Sequence, residues 1–477
     1  MVSSDRRNAS LEDLDRARII HPYVSFGAET RTPTTIIEKA DGIDVTFTNG
    51  NTYIDCMSSM NCVNVGYGRK EIAEAICRQA HDVAYYHSFI GVSNEPQIRL
   101  ADRLLSGLLP SHMSKILFAS SGSEAVDAAL KFIWLYNGLR GKPEKRKIIS
   151  RDKAYHGVTL GAASLAGYDE MQKGFHLPLP GFLRTENPHF YRNARPGESE
   201  EDYSRRCARL LDELILAEGP ETVAAFVCEP ALGAGCAVMP PKGYFAEIQK
   251  VLKRHDVLLF DDECITGFGR TGRWFACETF GITPDIMTLS KGITSAYVPL
   301  SATVISETIW DVLDAGIPSE EFPLFASGST ASGHPIACAA ANANIDIMER
   351  EDLIGNSRRV GAFFKNRLRE SIGEHPLIGE IRGEGLMIGL ELVADREMKL
   401  DLDPAWDCSH RLVELCRQRG LITRSFFGTA SMSFGPPLIL TEAQAEDIVR
   451  RVKGALDQLT AELVSSGRWA PRSGRAT

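Results

Sequence analysis

Asp285-Ile286-Met287-Thr288-Leu289-Ser290-Lys291-Gly292 is the stretch from which the rest of this chain is read. Asp285 to Leu289 has the make-up of a short buried strand, with Pro284 before it and Gly292 after it. Lys291 thus stands just past a strand's C-terminal end, where ligands bind in a parallel α/β sheet. A lysine there is a surface residue, a phosphate clamp, or an amine that forms a Schiff base with a carbonyl. Lysine is mostly exposed in general, so the neighbouring strand ends must decide among these readings.

Outward from this stretch, apolar runs recur at KILFA (115–119), RKIIS (146–150), VAAFVC (223–228), VLLF (257–260), DIMTL (285–289) and SATVIS (301–306). Helical stretches lie between most of them, notably 124–137 and 203–217. That alternation predicts an α/β fold with a largely parallel sheet covered on both faces. After about residue 335 the pattern becomes mixed α+β, with a helix near 336–350, a strand at Leu386–Val393 and a final helix after Thr441. Thr441 and Gln444 have capping-box spacing, and Ile448, Val452, Ala455, Leu459 and Leu463 form an apolar stripe.

On the N-terminal side, residues 1 to about 20 read as a flexible or helical lead-in. Val45–Thr48 and Thr52–Ile54 are β-rich and flank Asn49-Gly50, a hairpin signal. A helix from about Arg69 places Ile72, Ile76, Ala80 and Val83 on one face, and a second amphipathic helix covers 97–108. The division expected is an N-terminal segment 1–70 that joins a small domain, a large domain 71–335, a C-terminal small domain 336–465, and a disordered tail 466–477.

The chain has 477 residues and 44% hydrophobic content, enough for a large core and more than one domain. A net charge of -9 disfavours general affinity for nucleic acid or an anionic membrane. Eleven cysteines without a CxxC pair or a Cys/His cluster at zinc spacing favour reduced thiols over disulfides or a metal site. The first twenty residues lack the apolar core of a signal peptide, and no apolar run approaches the roughly 18 residues of a membrane span. These features predict a soluble, cytoplasmic protein.

Each strand end offers a different group. After KILFA comes Ser120-Ser121-Gly122-Ser123-Glu124 and a helix start, which is either an ordinary cap or an anion cradle. After RKIIS comes Tyr155-His156-Gly157, an aromatic that packs or stacks on a planar ligand, with a histidine in a positional role. Glu229 follows VAAFVC, and Asp261-Asp262-Glu263 follows VLLF. Buried carboxylates are expensive unless paired, so Asp262 serves a structural ion pair or a protonated ring nitrogen. No histidine is spaced to help it hold a metal. An anion cradle, an aromatic face, two carboxylates and a lysine amine together suit a planar, phosphorylated aldehyde with a basic ring nitrogen, such as pyridoxal phosphate. Gly267-Phe268-Gly269-Arg270-Thr271-Gly272 also matches G-x-G-x-x-G, but five residues separate it from the strand and a poor helix start follows, which argues against a dinucleotide site.

FASSGSEAVDAAL (118–130), AYHG (154–157), FDDECITGFGRTG (260–272), PDIMTLSKGITSAYVPL (284–300) and STASGHPIACAAA (329–341) resemble the signatures of class III aminotransferases. These are pyridoxal-phosphate enzymes of fold type I, with a large domain built on a mainly parallel sheet and a smaller α+β domain. CVNVGYGRKEIAEA (62–75) and GKPEKRKIIS (141–150) resemble the omega-aminotransferase, or amine:pyruvate, branch. The resemblance runs from about His21 to about Leu463. It implies a transaminase that moves an amino group from an amine or omega-amino acid to a keto acid such as pyruvate, with a pyridoxamine phosphate intermediate.

By the same resemblance, Lys291 forms the internal aldimine and moves the proton, and Asp262 keeps the pyridine nitrogen protonated. Tyr155 stacks on the ring, with Cys264 beneath it and His156 and Glu229 supporting the ring region. Ser121, Gly122 and Ser123 hold the phosphate, together with Thr330 from a neighbouring subunit, since the family's sites lie at a homodimer interface. Pairing of dimers into tetramers is left open. Asn61, Phe89, Tyr155 and Arg424 are implied for the substrate, with Arg424 pairing a carboxylate.

Several positions depart from the family's pattern. Asn61 and Ala331 stand where aromatics are common, Cys264 where valine or isoleucine is usual, and Ser425-Phe426-Phe427-Gly428-Thr429 replaces the usual Gly-Asp. A pocket enlarged and made more polar around Asn61 and Ala331, for a bulky or hydroxylated amine, is the expectation. The rival readings are an aminomutase, decarboxylase or racemase on the same fold, and a non-catalytic scaffold; dependence on a keto acid separates the first group.

Overall fold

The computed structural model describes residues 10–24, 26, 35–426 and 429–470. Three short strands open the chain: β1 (Ile37–Asp41), β2 (Asp44–Phe47) and β3 (Thr52–Asp55). They form an antiparallel meander, and Gly50 at the second turn has φ +80°, as the Asn-Gly signal requires. β1 had no sequence signal, being short, charged and almost wholly exposed.

Seven strands form the central sheet: β4 (Met113–Ala119), β5 (Lys147–Arg151), β6 (Phe182–Thr185), β7 (Val223–Cys228), β8 (Leu258–Asp262), β9 (Ile286–Leu289) and β10 (Ser301–Ser306). Their order is β4-β10-β9-β8-β7-β5-β6. β9, β8, β7, β5 and β6 run parallel, whereas β10 is antiparallel to both β9 and β4. All six apolar runs become strands. SATVIS is the reversed one, because the connection from Leu289 carries only a single 3-10 turn instead of a crossover helix. β6 lacked a signal: it is a four-residue edge strand, only half-buried.

Helix Gly122–Leu139 is buried nearly all round, which explains its weak amphipathic signature. Helix Lys70–Val83 buries Ile72 and Ala75 against helix Pro335–Arg350. The expected stripe is corrected at its far end, where Ala80 and Val83 are exposed beyond that packing partner.

Four further strands build a second antiparallel sheet, in the order β11-β12-β15-β14: β11 (Ile378–Glu384), β12 (Met387–Leu392), β14 (Arg424–Ser425) and β15 (Ser431–Phe434). β13 (Leu421–Ile422) instead runs parallel to β3, tying the two ends of the chain together. The final helix, Glu442–Ser465, has the Thr441/Gln444 capping box and buries the whole predicted stripe. The expected disordered tail is corrected at its start. The Trp469 indole is buried and its Nε1–H donates to Ala394 O at 2.8 Å. Residues 471–477, like 1–9, lie outside the described residues. No helix among the described residues is long and apolar enough to cross a membrane.

Next to the end of β8 lies a buried acidic group. Asp261, Glu263 and Cys277 bring their donor atoms within 4.8 Å of one another, and neither Asp261 oxygen has a hydrogen-bond partner among the described residues. Burial pushes the Glu263 carboxyl up to about 7 against the hydrogen bonds of Thr266 and Cys277 N–H. Burial and the neighbouring acids push Asp261 the same way. An acid raised in the folded state costs nothing while both states are protonated, and its penalty grows as pH rises toward the folded value. Glu263→Gln is expected to flatten the loss of stability between pH 4.5 and about 7, read as thermal unfolding at both ends of that window. An unchanged slope would contradict this.

Candidate functional site

The ends of β5, β7, β8 and β9 and the start of helix Gly122–Leu139 enclose a cavity of about 150 Å³. Gly122, Ser123, Tyr155, His156, Glu229, Asp262, Cys264 and Lys291 all line it. Residues up to 169 positions apart thus converge because parallel strands present their C-terminal ends on one edge.

Asp262 is the electrostatic centre. It is 3% exposed, and its Oδ2 is 2.8 Å from His156 Nδ1. Thr288 Oγ1 donates to Oδ1 at 2.8 Å, and Cys264 N–H donates to the same oxygen at 3.2 Å. Burial alone would raise this carboxyl, but the hydrogen bonds and charge of His156, with those of Cys264 and Thr288, hold it below the ordinary range. The group is a buried, ionised carboxylate. Glu229 differs: burial raises it against the charge of His156 and two backbone donors, Gly233 N–H at 2.7 Å and Tyr155 N–H at 3.0 Å. It therefore fixes the loop that carries Tyr155.

Lys291 opens the 3-10 turn after β9 with φ +48°, the left-handed region that a non-glycine residue enters only under constraint. The constraint is close packing behind it. A Cβ on Gly292 would lie 2.5 Å from Asn64 Nδ2 and 2.8 Å from Phe268 Cβ.

Opposite, Ser121 caps helix Gly122–Leu139, its Oγ accepting from Glu124 N–H at 3.2 Å. The Glu124 carboxylate reaches Ser120 N–H, one residue short of a full capping box. Ser121 does not line the cavity, but Gly122 and Ser123 do. A Cβ on Gly122 would lie 3.2 Å from Cys264 Sγ, and one on Gly157 would strike Ser123 Oγ. Both glycines keep a cradle open at a helix N-terminus, the geometry that takes a phosphate.

A second cavity of about 120 Å³ shares Tyr155, Ile265 and Lys291 with the first. Tyr23, Met57, Met60, Asn61, Arg424 and Ser433 also line it. Arg424 makes no salt bridge among the described residues; its Nη1 donates to Met60 Sδ at 2.7 Å. Burial lowers the guanidinium below its ordinary range. It is a desolvated cation with a soft partner, placed for a carboxylate.

Phe89 and Thr330 line neither cavity. They stand near one another on the surface: Tyr85 donates to Thr330 O at 2.8 Å, and the Phe89 ring lies beside Gly328. Ala331, beside Thr330, also lines neither cavity, whereas Asn61 lines the second. Phe427 and Gly428 lie outside the described residues. A larger cavity of about 610 Å³ sits across Phe426, but its buried Arg382 and Glu391 are paired with each other at 2.7 Å.

The buried ionised Asp262, the phosphate-shaped cradle and the lysine fit pyridoxal phosphate as a group, and the buried His156 Nε2 is without a partner on the described protein atoms. The family profile "aminotransferase class-III" matches residues 26–456. The chain belongs to the class III aminotransferases. An uncharacterized aminotransferase, y4uB, of Sinorhizobium fredii is 44% identical over 461 residues, which cover 96% of this chain and 98% of the relative. A diaminobutyrate–2-oxoglutarate transaminase of Halomonas elongata is 40% identical with the same coverage. The omega transaminase of Pseudomonas jessenii, solved in complex with PMP, has a TM-score of 0.92 at 40% identity and covers 96% of this chain and 99% of its own. This class III aminotransferase is thus a pyridoxal-phosphate-dependent transaminase of fold type I, acting between an amine or omega-amino acid and a keto acid.

Sequence reasoning missed Thr288, Ile265, Tyr23, Met57 and Met60. Thr288 sits directly opposite Asp262 across the β8–β9 pair, a register that the sequence did not announce. Tyr23 and the two methionines had no local signal, because they reach the site through chain segments far from the sheet.

Proposed function

We propose that Lys291 is the catalytic residue, that Asp262, His156, Tyr155, Glu229, Cys264, Gly122 and Ser123 hold the cofactor, and that Asn61 and Arg424 select the substrate. The observation that carries this reading is the joint lining of one cavity by Lys291, Tyr155 and the His156–Asp262 pair.

Bound pyridoxal phosphate supplies an aldehyde that captures amines and a ring that accepts the electron pair left when Cα loses its proton. Lys291 Nζ is the amine that would take that aldehyde and, when free, would carry the proton from Cα. Asp262 would keep a proton on the ring nitrogen, and His156 Nδ1, 2.8 Å from its Oδ2, fixes the carboxylate's orientation. Ser123 and the first N–H groups of the helix bind the phosphate, with Ser121 acting through the cap. Tyr155, which lines the same cavity, would cover the ring face.

The acceptor proposed is pyruvate, and the working form a cytoplasmic homodimer whose Phe89 and Thr330 complete the partner's site. Tyr85, Tyr86, Phe89 and Ile90 form an exposed apolar run of the kind that a second copy covers. Eleven free cysteines support a reducing compartment.

Arg424→Gln tests the substrate reading. It is expected to raise KM for 4-aminobutanoate and pyruvate about 100-fold, the cost of losing a bidentate charged pair, while the KM for 1-phenylethylamine moves little. Equal effects on both amines would assign Arg424 a structural role instead.

A further inference from the structure

The Gly267–Gly272 turn does not line the cofactor cavity, yet it carries Arg270, one of the largest fully buried side chains among the described residues. Its glycines are constrained. Gly269 and Gly272 have φ +87° and +82°, and a Cβ there would meet Leu438 at 2.8 Å and Arg358 at 2.9 Å. Phe268, just before Gly269, also has positive φ, +54°.

Arg270 has no salt bridge among the described residues. Its Nη2 donates to Ser58 Oγ at 2.9 Å and to Asn64 Oδ1 at 2.7 Å. Its Nη1 donates to Leu386 O at 3.1 Å and to Pro436 O. Leu386 N–H donates back to Arg270 O at 3.0 Å. A buried cation without a counter-charge is costly, so four neutral acceptors from three parts of the chain must be held tightly in return.

What those acceptors hold is one wall of the substrate cavity. Ser58, Ser59 and Asn61 have φ of 40°, 62° and 59°, three left-handed non-glycine residues within four positions. Asp55 anchors that run by accepting from Met57 N–H at 2.9 Å and Ser59 N–H at 2.6 Å. Ser58 Oγ donates to Gly435 O while accepting from Arg270. Gly435 leaves room for the Asn61 side chain, since a Cβ there would lie 1.9 Å from Asn61 Oδ1 and push that side chain away. The strained run turns Met57, Met60 and Asn61 into the cavity, and Met60 Sδ is where Arg424 rests.

We infer that Arg270 is a positioning residue for substrate specificity. Through Ser58 and Asn64 it pins the strained wall at residues 57–61, and so sets both the room beside Asn61 and the resting place of Arg424. The substrate half of this inference rests on the transaminase reading; the mechanical half does not. Without the pin the wall relaxes toward ordinary backbone angles. Arg424 then loses its fixed rest, and amines without a carboxylate gain room.

The test compares the native holoenzyme with Ser58→Ala, which removes one acceptor and leaves the guanidinium in place, and with Arg270→Lys, whose ammonium cannot serve four acceptors. Hydrogen–deuterium exchange of peptides spanning 56–62 is expected to quicken in both variants. The ratio of kcat/KM for 4-aminobutanoate over that for 1-phenylethylamine is expected to fall about tenfold, the scale of one lost hydrogen bond to a charged group. Exchange that is unchanged in both variants would overturn the inference. So would a ratio that stays constant while both amines slow together. If the native protein transaminates neither amine, the functional reading fails, and the exchange result alone still decides whether Arg270 holds the wall.

Discussion

Lys291→Ala is expected to lower the transamination rate by at least about 10⁴-fold, because it removes covalent capture and proton transfer together. Neighbouring side chains offer no substitute. Among the groups lining the same cavity, Asp262 is held ionised by His156 and Thr288, and Glu229 is committed to two backbone N–H groups. The backbone N–H of Tyr155 is one of those two, and its phenol is a far weaker base than a lysine amine. The fold should survive the change. Gly292 and the Asn64 packing behind the turn stay in place, and alanine relieves none of the contacts that force φ +48°. Added ethylamine or methylamine restores part of the proton-transfer rate if the loss is chemical. A rate within about tenfold of the native enzyme would remove Lys291 from the reaction.

Asp262→Asn is expected to cost about 10²- to 10³-fold in kcat, the scale of breaking a buried charge pair. Asparagine keeps the shape and still accepts from Thr288 Oγ1 and Cys264 N–H, which bond to the same oxygen. It cannot hold a proton on a ring nitrogen as a carboxylate does, and its amide faces His156 Nδ1 with the wrong polarity or forces the other tautomer. The loss should therefore fall on kcat, with substrate KM little changed, since the substrate cavity is lined by other residues. Equal losses in binding of both substrates would show that Asp262 shapes the pocket and does not act on the ring.

The parts of this site that were legible in the sequence are those where chemistry and local structure coincide. Lys291, Asp262, Tyr155 and Ser123 each follow an apolar strand, and a parallel sheet obliges such residues to meet. The reversal of β10 was not legible, because an eleven-residue link without a helix is decided by packing against β4 and β9. The Lys70–Val83 stripe was overextended for a related reason: periodicity marks a face, and only the partner helix shows how much of it is covered. Trp469 was placed in the disordered tail because one aromatic among polar residues carries no pattern, yet its docking on Ala394 orders the chain to that point. Asn61 was read as a change of pocket character, and it lines the second cavity. Its neighbours Met57 and Met60 were not read so, since their inward aim depends on backbone angles that serine and asparagine do not announce. The GFGRTG run was read in the sequence as a poor dinucleotide site, but the buried arginine it presents was visible only once Ser58, Asn64, Leu386 and Pro436 were seen around it.

The most direct test of the account is the visible absorption spectrum of the purified protein, recorded beside Lys291→Ala, before and after a simple amine and then pyruvate. The account predicts a band from the lysine-linked cofactor that the amine bleaches and pyruvate restores, and that is missing in the alanine variant. Restoration by another keto acid alone would replace pyruvate and leave the reaction standing. No band in the native protein after incubation with pyridoxal phosphate, or an equal band in Lys291→Ala, would contradict the central role of Lys291.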